Sequence, residues 1–168
     1  SALDYKHLDR DLVDLIWFPT GGGKTEAYLA LVAFLITWRR LKYGRSGGGT
    51  TILMRYTLRL LTGQQFERAN RLIFAMEFLR RTEPALGLGD EPITIGMWVG
   101  SATTPNKFDD ALNEVIKSQQ NGSVSRKLLL NQCPWCGAPF SPHGSFIAAH
   151  DRFHFLCQNA PCAFHAGP

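Results

Sequence analysis

The spacing of apolar residues changes rhythm several times along the chain, and each change predicts an element. Val13-Asp-Leu-Ile-Trp-Phe18 is a short apolar run that stops at Pro19, the pattern of a buried strand. Glycines follow. From Lys24 to about Tyr43 the residues are apolar on nearly every side until Arg39, which suits a helix packed between a sheet and a neighbouring layer. Arg39, Arg40 and Lys42 in its last turn complement the helix dipole, and Gly44 supplies a stop.

Residues 44–49 read as a flexible loop and Thr50-Thr-Ile-Leu-Met54 as a second strand. Thr62, with Gln65 three residues on, predicts a capped helix start. In that helix Phe66, Ala69, Leu72, Ile73, Met76 and Leu79 share one face, and Arg68, Arg71 and Arg80 fall on the others. Ile93 to Val99 is a third strand candidate. Thr104-Pro105 opens a third helix with Phe108, Leu112, Val115 and Ile116 expected to face inward.

Strand and helix thus alternate three times, which predicts an α/β fold: a parallel sheet with helices on its faces. The polar stretch from Gln119 to Ser125 interrupts this rhythm. The expected division is a nucleotide-binding lobe over residues 1–125 and a metal-binding insert over 126–168. At 168 residues and 45% hydrophobic content, one core with a small satellite is affordable. No apolar run reaches membrane length and the first residues lack a signal-peptide pattern, so a soluble, cytoplasmic protein without a membrane partner is expected.

Charge changes the picture locally. The net charge is +4, and residues 55–81 carry six arginines against Glu67 and Glu77, which equals that whole excess. Such a segment is either a solvated helix face or a nucleic-acid face.

Two motifs carry chemistry. Phe18-Pro-Thr-Gly-Gly-Gly-Lys-Thr25 matches the end of a P-loop, Gly-Lys-Thr between a strand and a helix, with Phe18 where the pattern has its first glycine. Amides from Gly21 to Lys24 and the helix dipole would cradle phosphates, Lys24 would reach the β- and γ-phosphates, and Thr25 would hold Mg²⁺. Cys133-Pro-Trp-Cys136-Gly and Cys157-Gln-Asn-Ala-Pro-Cys162, separated by 20 residues, form a second motif. Two close pairs in a chain without secretory features point to four-thiolate Zn²⁺ more than to disulfides. The wider second pair leaves His154 or His165 as substitutes for one thiolate.

Residues 18–27 resemble motif I of superfamily 2 helicases, and Met-Arg-Tyr-Thr-Leu-Arg-Leu-Leu-Thr-Gly-Gln-Gln at 54–65 resembles an atypical motif Ia. Together, WFPTGGGKTEAYLAL and LMRYTLRLLTGQQFERA look most similar to the DrmA helicase family of the bacterial DISARM phage-defence system, in which a cysteine cluster precedes the Walker B motif. The resemblance implies a RecA-like lobe that binds ATP and Mg²⁺ through Thr20, Gly21, Gly22, Gly23, Lys24, Thr25 and Glu26, with Lys24 and Thr25 at the chemistry. It implies that Arg55, Thr57 and Arg59, with Thr103, Thr104 and Asn106 of a motif Ib-like turn, follow the backbone of single-stranded or partly duplex DNA. Other implications are a second defence-system subunit as partner and a larger motor, of which this segment alone hydrolyses almost nothing. The competing reading is a zinc-stabilised module that binds nucleic acid or protein, switched by nucleotide without turnover.

Overall fold

The computed structural model describes residues 8–12, 23–55, 64–101, 103–149 and 152–165. Three helices dominate. α1 spans Lys24–Tyr43, α2 spans Gln64–Thr82 and α3 spans Phe108–Asn121. α1 runs between two glycines, as its sequence predicts, because a 20-residue stretch without Gly or Pro meets no breaker until Gly44. α3 begins three residues after its expected start, and of its four expected inward residues Val115 is buried while Leu112 and Ile116 are exposed.

α1 and α2 pack through Ile36, Ile73 and Met76, with Ile93 from the chain beyond α2 completing the cluster. The stretch from Leu88 to Ile93 is tied to both helices by side chains. Arg40 of α1 donates to the carbonyls of Leu88 (2.8 Å), Glu91 (2.5 Å) and Pro92 (3.0 Å). Arg80 of α2 donates to the carbonyls of Gly89 and Asp90, and holds Glu77 through two hydrogen bonds of 2.7 Å each. Glu77 in turn accepts the backbone N–H of Ile93 at 2.8 Å.

These bonds explain the main correction to the sequence reading. Among the described residues the expected parallel, RecA-like sheet with helices on both faces is not seen. Among the described residues the sheet is a two-stranded antiparallel hairpin, β1 (Phe146–Ala149) with β2 (Arg152–Phe155). Thr50 to Met54 and Ile93 to Val99 carry no regular secondary structure. Apolar runs dictate burial, whereas a strand also needs a neighbour's N–H and C=O groups. Here Glu77 takes the Ile93 amide and Arg39 donates to the Thr50 carbonyl at 2.9 Å, so side chains satisfy groups that a ladder would have used. The two segments line a cavity of about 950 Å³ against α1 and α2. The strand expected at 13–18 and the helix cap at Thr62 lie outside the described residues.

A second core joins the C-terminal region to the helices. Leu128, Phe140, Phe146 and Phe164 pack with Val115 of α3, and Phe74 and Phe78 of α2 close over them. In the hairpin Phe146 faces Phe155 and Ile147 faces His154. The period of two puts the phenylalanines on the core side and leaves Ile147 and His154 exposed. No helix among the described residues is long and apolar enough to cross a membrane.

Candidate metal centre and nucleotide loop

Cys133, Cys136, Cys157 and Cys162 meet at one point, their sulfurs all within 4.8 Å of one another. The pairs closest in space are not the pairs closest in sequence: Cys133 to Cys162 is 3.9 Å and Cys136 to Cys157 is 3.6 Å, sulfur to sulfur. Both distances are far from the roughly 2.0 Å of a disulfide. They fit the edge of a tetrahedron around Zn²⁺, about 3.8 Å when each Zn–S bond is about 2.3 Å. The donor set therefore suits zinc, and the disulfide alternative does not describe these cysteines, all of which are free.

Local turns build this geometry. Gly137 takes a φ of 74°, its N–H reaches the Cys133 carbonyl at 2.9 Å, and Cys133 N–H reaches the Ala138 carbonyl at 2.8 Å. A side chain at 137 would strain that left-handed turn. Backbone amides two residues on donate to the sulfurs: Ala138 to Cys136, Asn159 to Cys157, and Phe164 to Cys162, the last at 3.4 Å. The Asn159 side chain adds a donor to Cys136 at 3.6 Å. Sequence reasoning missed Asn159, although its place two residues after a ligand was the available signal. His165 supports the site from behind, its Nδ1 donating to the Cys157 carbonyl at 3.0 Å. Four sulfurs already fill a tetrahedral shell, so neither His165 nor the exposed His154 is needed as a ligand.

The thiols of the cluster are shifted in opposite directions. Burial pushes the Cys157 thiol up to about 12, with its neighbouring thiols adding to the effect, and burial also raises Cys162. Burial opposes ionisation of Cys136 as well, but the Ala138 amide and the Asn159 side chain outweigh it and bring that thiol down to about 6. Clustered thiols resist shedding several protons at once, and a dication reverses this, so binding would release protons.

The site is anchored on α2 by aromatic contacts. Phe164 lies 4.7 Å from Phe74 and 5.6 Å from Trp135, ring centre to ring centre, and Trp135 lies 4.8 Å from Phe78. The Arg81 guanidinium stands 5.6 Å over Phe164. Each such ring pair adds about 1 kcal/mol beyond its buried area.

The described part of the glycine loop is its helical end. Gly23 takes a φ of 77° and Lys24 and Thr25 open α1, with the first helical bond from Ala27 N–H to the Gly23 carbonyl. Left-handed geometry at Gly23 fits a glycine there and turns the chain into the helix. Glu26 pairs with Arg68 of α2 at 2.8 Å; both are substantially exposed, so solvent screens the pair. Thr20, Gly21 and Gly22 lie outside the described residues.

Among the described residues no parallel sheet is seen, so Arg55, Thr103, Thr104 and Asn106 are not gathered on a sheet edge. Arg55 is exposed and lines the cavity, while Thr103 and Thr104 form a turn on the Gly100 carbonyl with Asn106 exposed beyond it. Thr57 and Arg59 lie outside the described residues. Of the basic segment, Arg80 is committed to Glu77 and two carbonyls.

No protein-family model matches the chain. The chain is 39% identical, over 182 aligned positions, to the DISARM protein DrmA of Bacillus paralicheniformis. That alignment takes in 98% of this chain and 16% of the relative, so the chain spans about one sixth of the curated protein it matches. The two are related over nearly all of this chain, as the sequence resemblance implied.

Proposed function

We propose that this chain is the nucleotide-gripping, zinc-braced segment of an ATP-dependent DNA helicase or translocase acting in phage defence. The observation that carries the reading is the start of α1, where left-handed Gly23 hands directly to Lys24 and Thr25, in a chain 39% identical to DISARM protein DrmA. A helix N-terminus favours anions through its free amides and dipole. Lys24 would neutralise β- and γ-phosphate charge, Thr25 would bind Mg²⁺ through its hydroxyl, and Gly21 to Gly23 would let the backbone close on the phosphate oxygens. Arg55, Thr57, Arg59, Thr103, Thr104 and Asn106 would contact the DNA backbone. Zinc held by Cys133, Cys136, Cys157 and Cys162 leaves no open position for water, so its part is structural.

ATP turnover by the full-length protein, with and without single-stranded DNA, tests this beside Lys24→Ala. DNA-stimulated turnover that falls by about 10²-fold or more in the variant is expected, the size of effect seen when a transition-state donor is removed. Nucleotide binding without turnover under any nucleic acid would replace the motor with a nucleotide-switched docking module.

A further inference from the structure

Asn159 reaches three of the four cysteines. Its carbonyl accepts the Cys162 N–H at 2.9 Å, and its own amide N–H donates to the Cys157 sulfur. Its side chain crosses to the other cysteine pair, where Nδ2 lies 3.6 Å from the Cys136 sulfur. A thiolate accepts hydrogen bonds and has no proton to give, so the nitrogen end of the amide is the one it selects. Cys136 is also the odd member of the set. Cys133, Cys157 and Cys162 are 2%, 5% and 7% exposed and belong to the aromatic core, while Cys136 is open to solvent and outside it. What holds the Cys136 sulfur is its own turn, through the Ala138 amide, and the side chain of Asn159.

We propose that Asn159 is the positioning residue that keeps Cys136 on the metal, and that Cys136 is the ligand whose release opens the centre to exchange. The proposal rests on the reading of the four cysteines as a zinc site. Four thiolates around one dication leave a net negative charge, and a donor aimed at the exposed sulfur offsets part of it. Water and competing ligands reach that sulfur first, because the other three are buried. Hydrogen-bonding partners of metal ligands are worth about 10- to 100-fold in metal affinity.

Zinc-loaded full-length protein, unsubstituted and carrying Asn159→Asp or Asn159→Ala, tests this through two readouts. One is the rate at which a chromophoric chelator takes the metal. The other is the order in which iodoacetamide labels the cysteines, mapped by peptide mass spectrometry. Asp keeps the shape of Asn and removes the donor, whereas Ala removes it without adding charge. Zinc is expected to leave both variants about tenfold faster or more, and Cys136 to be labelled before Cys133, Cys157 and Cys162 in all three proteins. With cobalt(II) in place of zinc, the sulfur-to-cobalt charge-transfer band is expected at longer wavelength in the variants, a shift that a merely loosened fold would not produce. Unsubstituted release rates in Asn159→Ala, or first labelling at a buried cysteine, would overturn the proposal. The labelling order in the unsubstituted protein needs no variant, so it decides the role of Cys136 even where a variant fails to fold. An unsubstituted protein that binds neither zinc nor cobalt would overturn the zinc reading itself, and the proposal with it.

Discussion

Arg40 is 7% exposed, with its guanidinium divided among the carbonyls of Leu88, Glu91 and Pro92. Burial and the nearby Arg80 lower its pKa, yet a guanidinium stays charged, so the carbonyls serve to solvate a cation inside the fold. Truncating it strands three acceptors at once. Arg40→Ala is expected to lower stability by about 3 kcal/mol, whereas exposed Arg45→Ala should stay within about 0.5 kcal/mol. Urea unfolding midpoints of the two variants would decide this, equal midpoints refuting the clamp. In the sequence Arg40 looked like an ordinary dipole-complementing cation, because position in a last turn says nothing of what lies beyond the helix. The four cysteines were legible for the opposite reason: thiolate spacing encodes its own turn, and Gly137 sits where the turn needs it.

Helices and strands differed in how much they revealed. α1 was readable because its bonds are local and its ends are marked by glycine. Thr50 to Met54 and Ile93 to Val99 were misread because pairing is settled by distant groups, here Arg39 and Glu77. Glu77 therefore gives the connection between α2 and Ile93 a pH dependence. Burial works against its charge, but the Arg80 guanidinium and the Ile93 amide hold its carboxyl below the ordinary 4.5. The folded state then binds fewer protons than the unfolded chain, so this contribution is complete above about pH 4.5 and fades as pH falls through the lowered value. Glu77→Gln should cost about 3 kcal/mol at neutral pH, since it leaves Arg80 without its buried partner. Unfolding curves taken from pH 7 downward should show the gap to the native protein closing below pH 4.5; a constant gap would refute the assignment.

At the scale of the molecule, the four-cysteine cluster and the helices form one structure. Cys133, Cys157 and Cys162 belong to the same packed core as Val115 of α3, and Trp135 and Phe164 carry that core onto α2. Metal binding of roughly 10 kcal/mol or more would then support the helices as well as the cysteine turns. Glu26 and Arg68 join α2 to the first turn of α1, so the brace ends beside the glycine loop. The cysteine cluster was legible in the sequence to the level of its four residues, while its docking on α2 was not, because Phe74 and Phe78 read only as one more apolar stripe. X-ray absorption at the zinc edge, on full-length protein purified without added metal, tests the account most directly. The expected result is one zinc per chain with four sulfurs at about 2.3 Å and no nitrogen. A shell containing histidine nitrogen, or a fully folded protein without zinc, would contradict it.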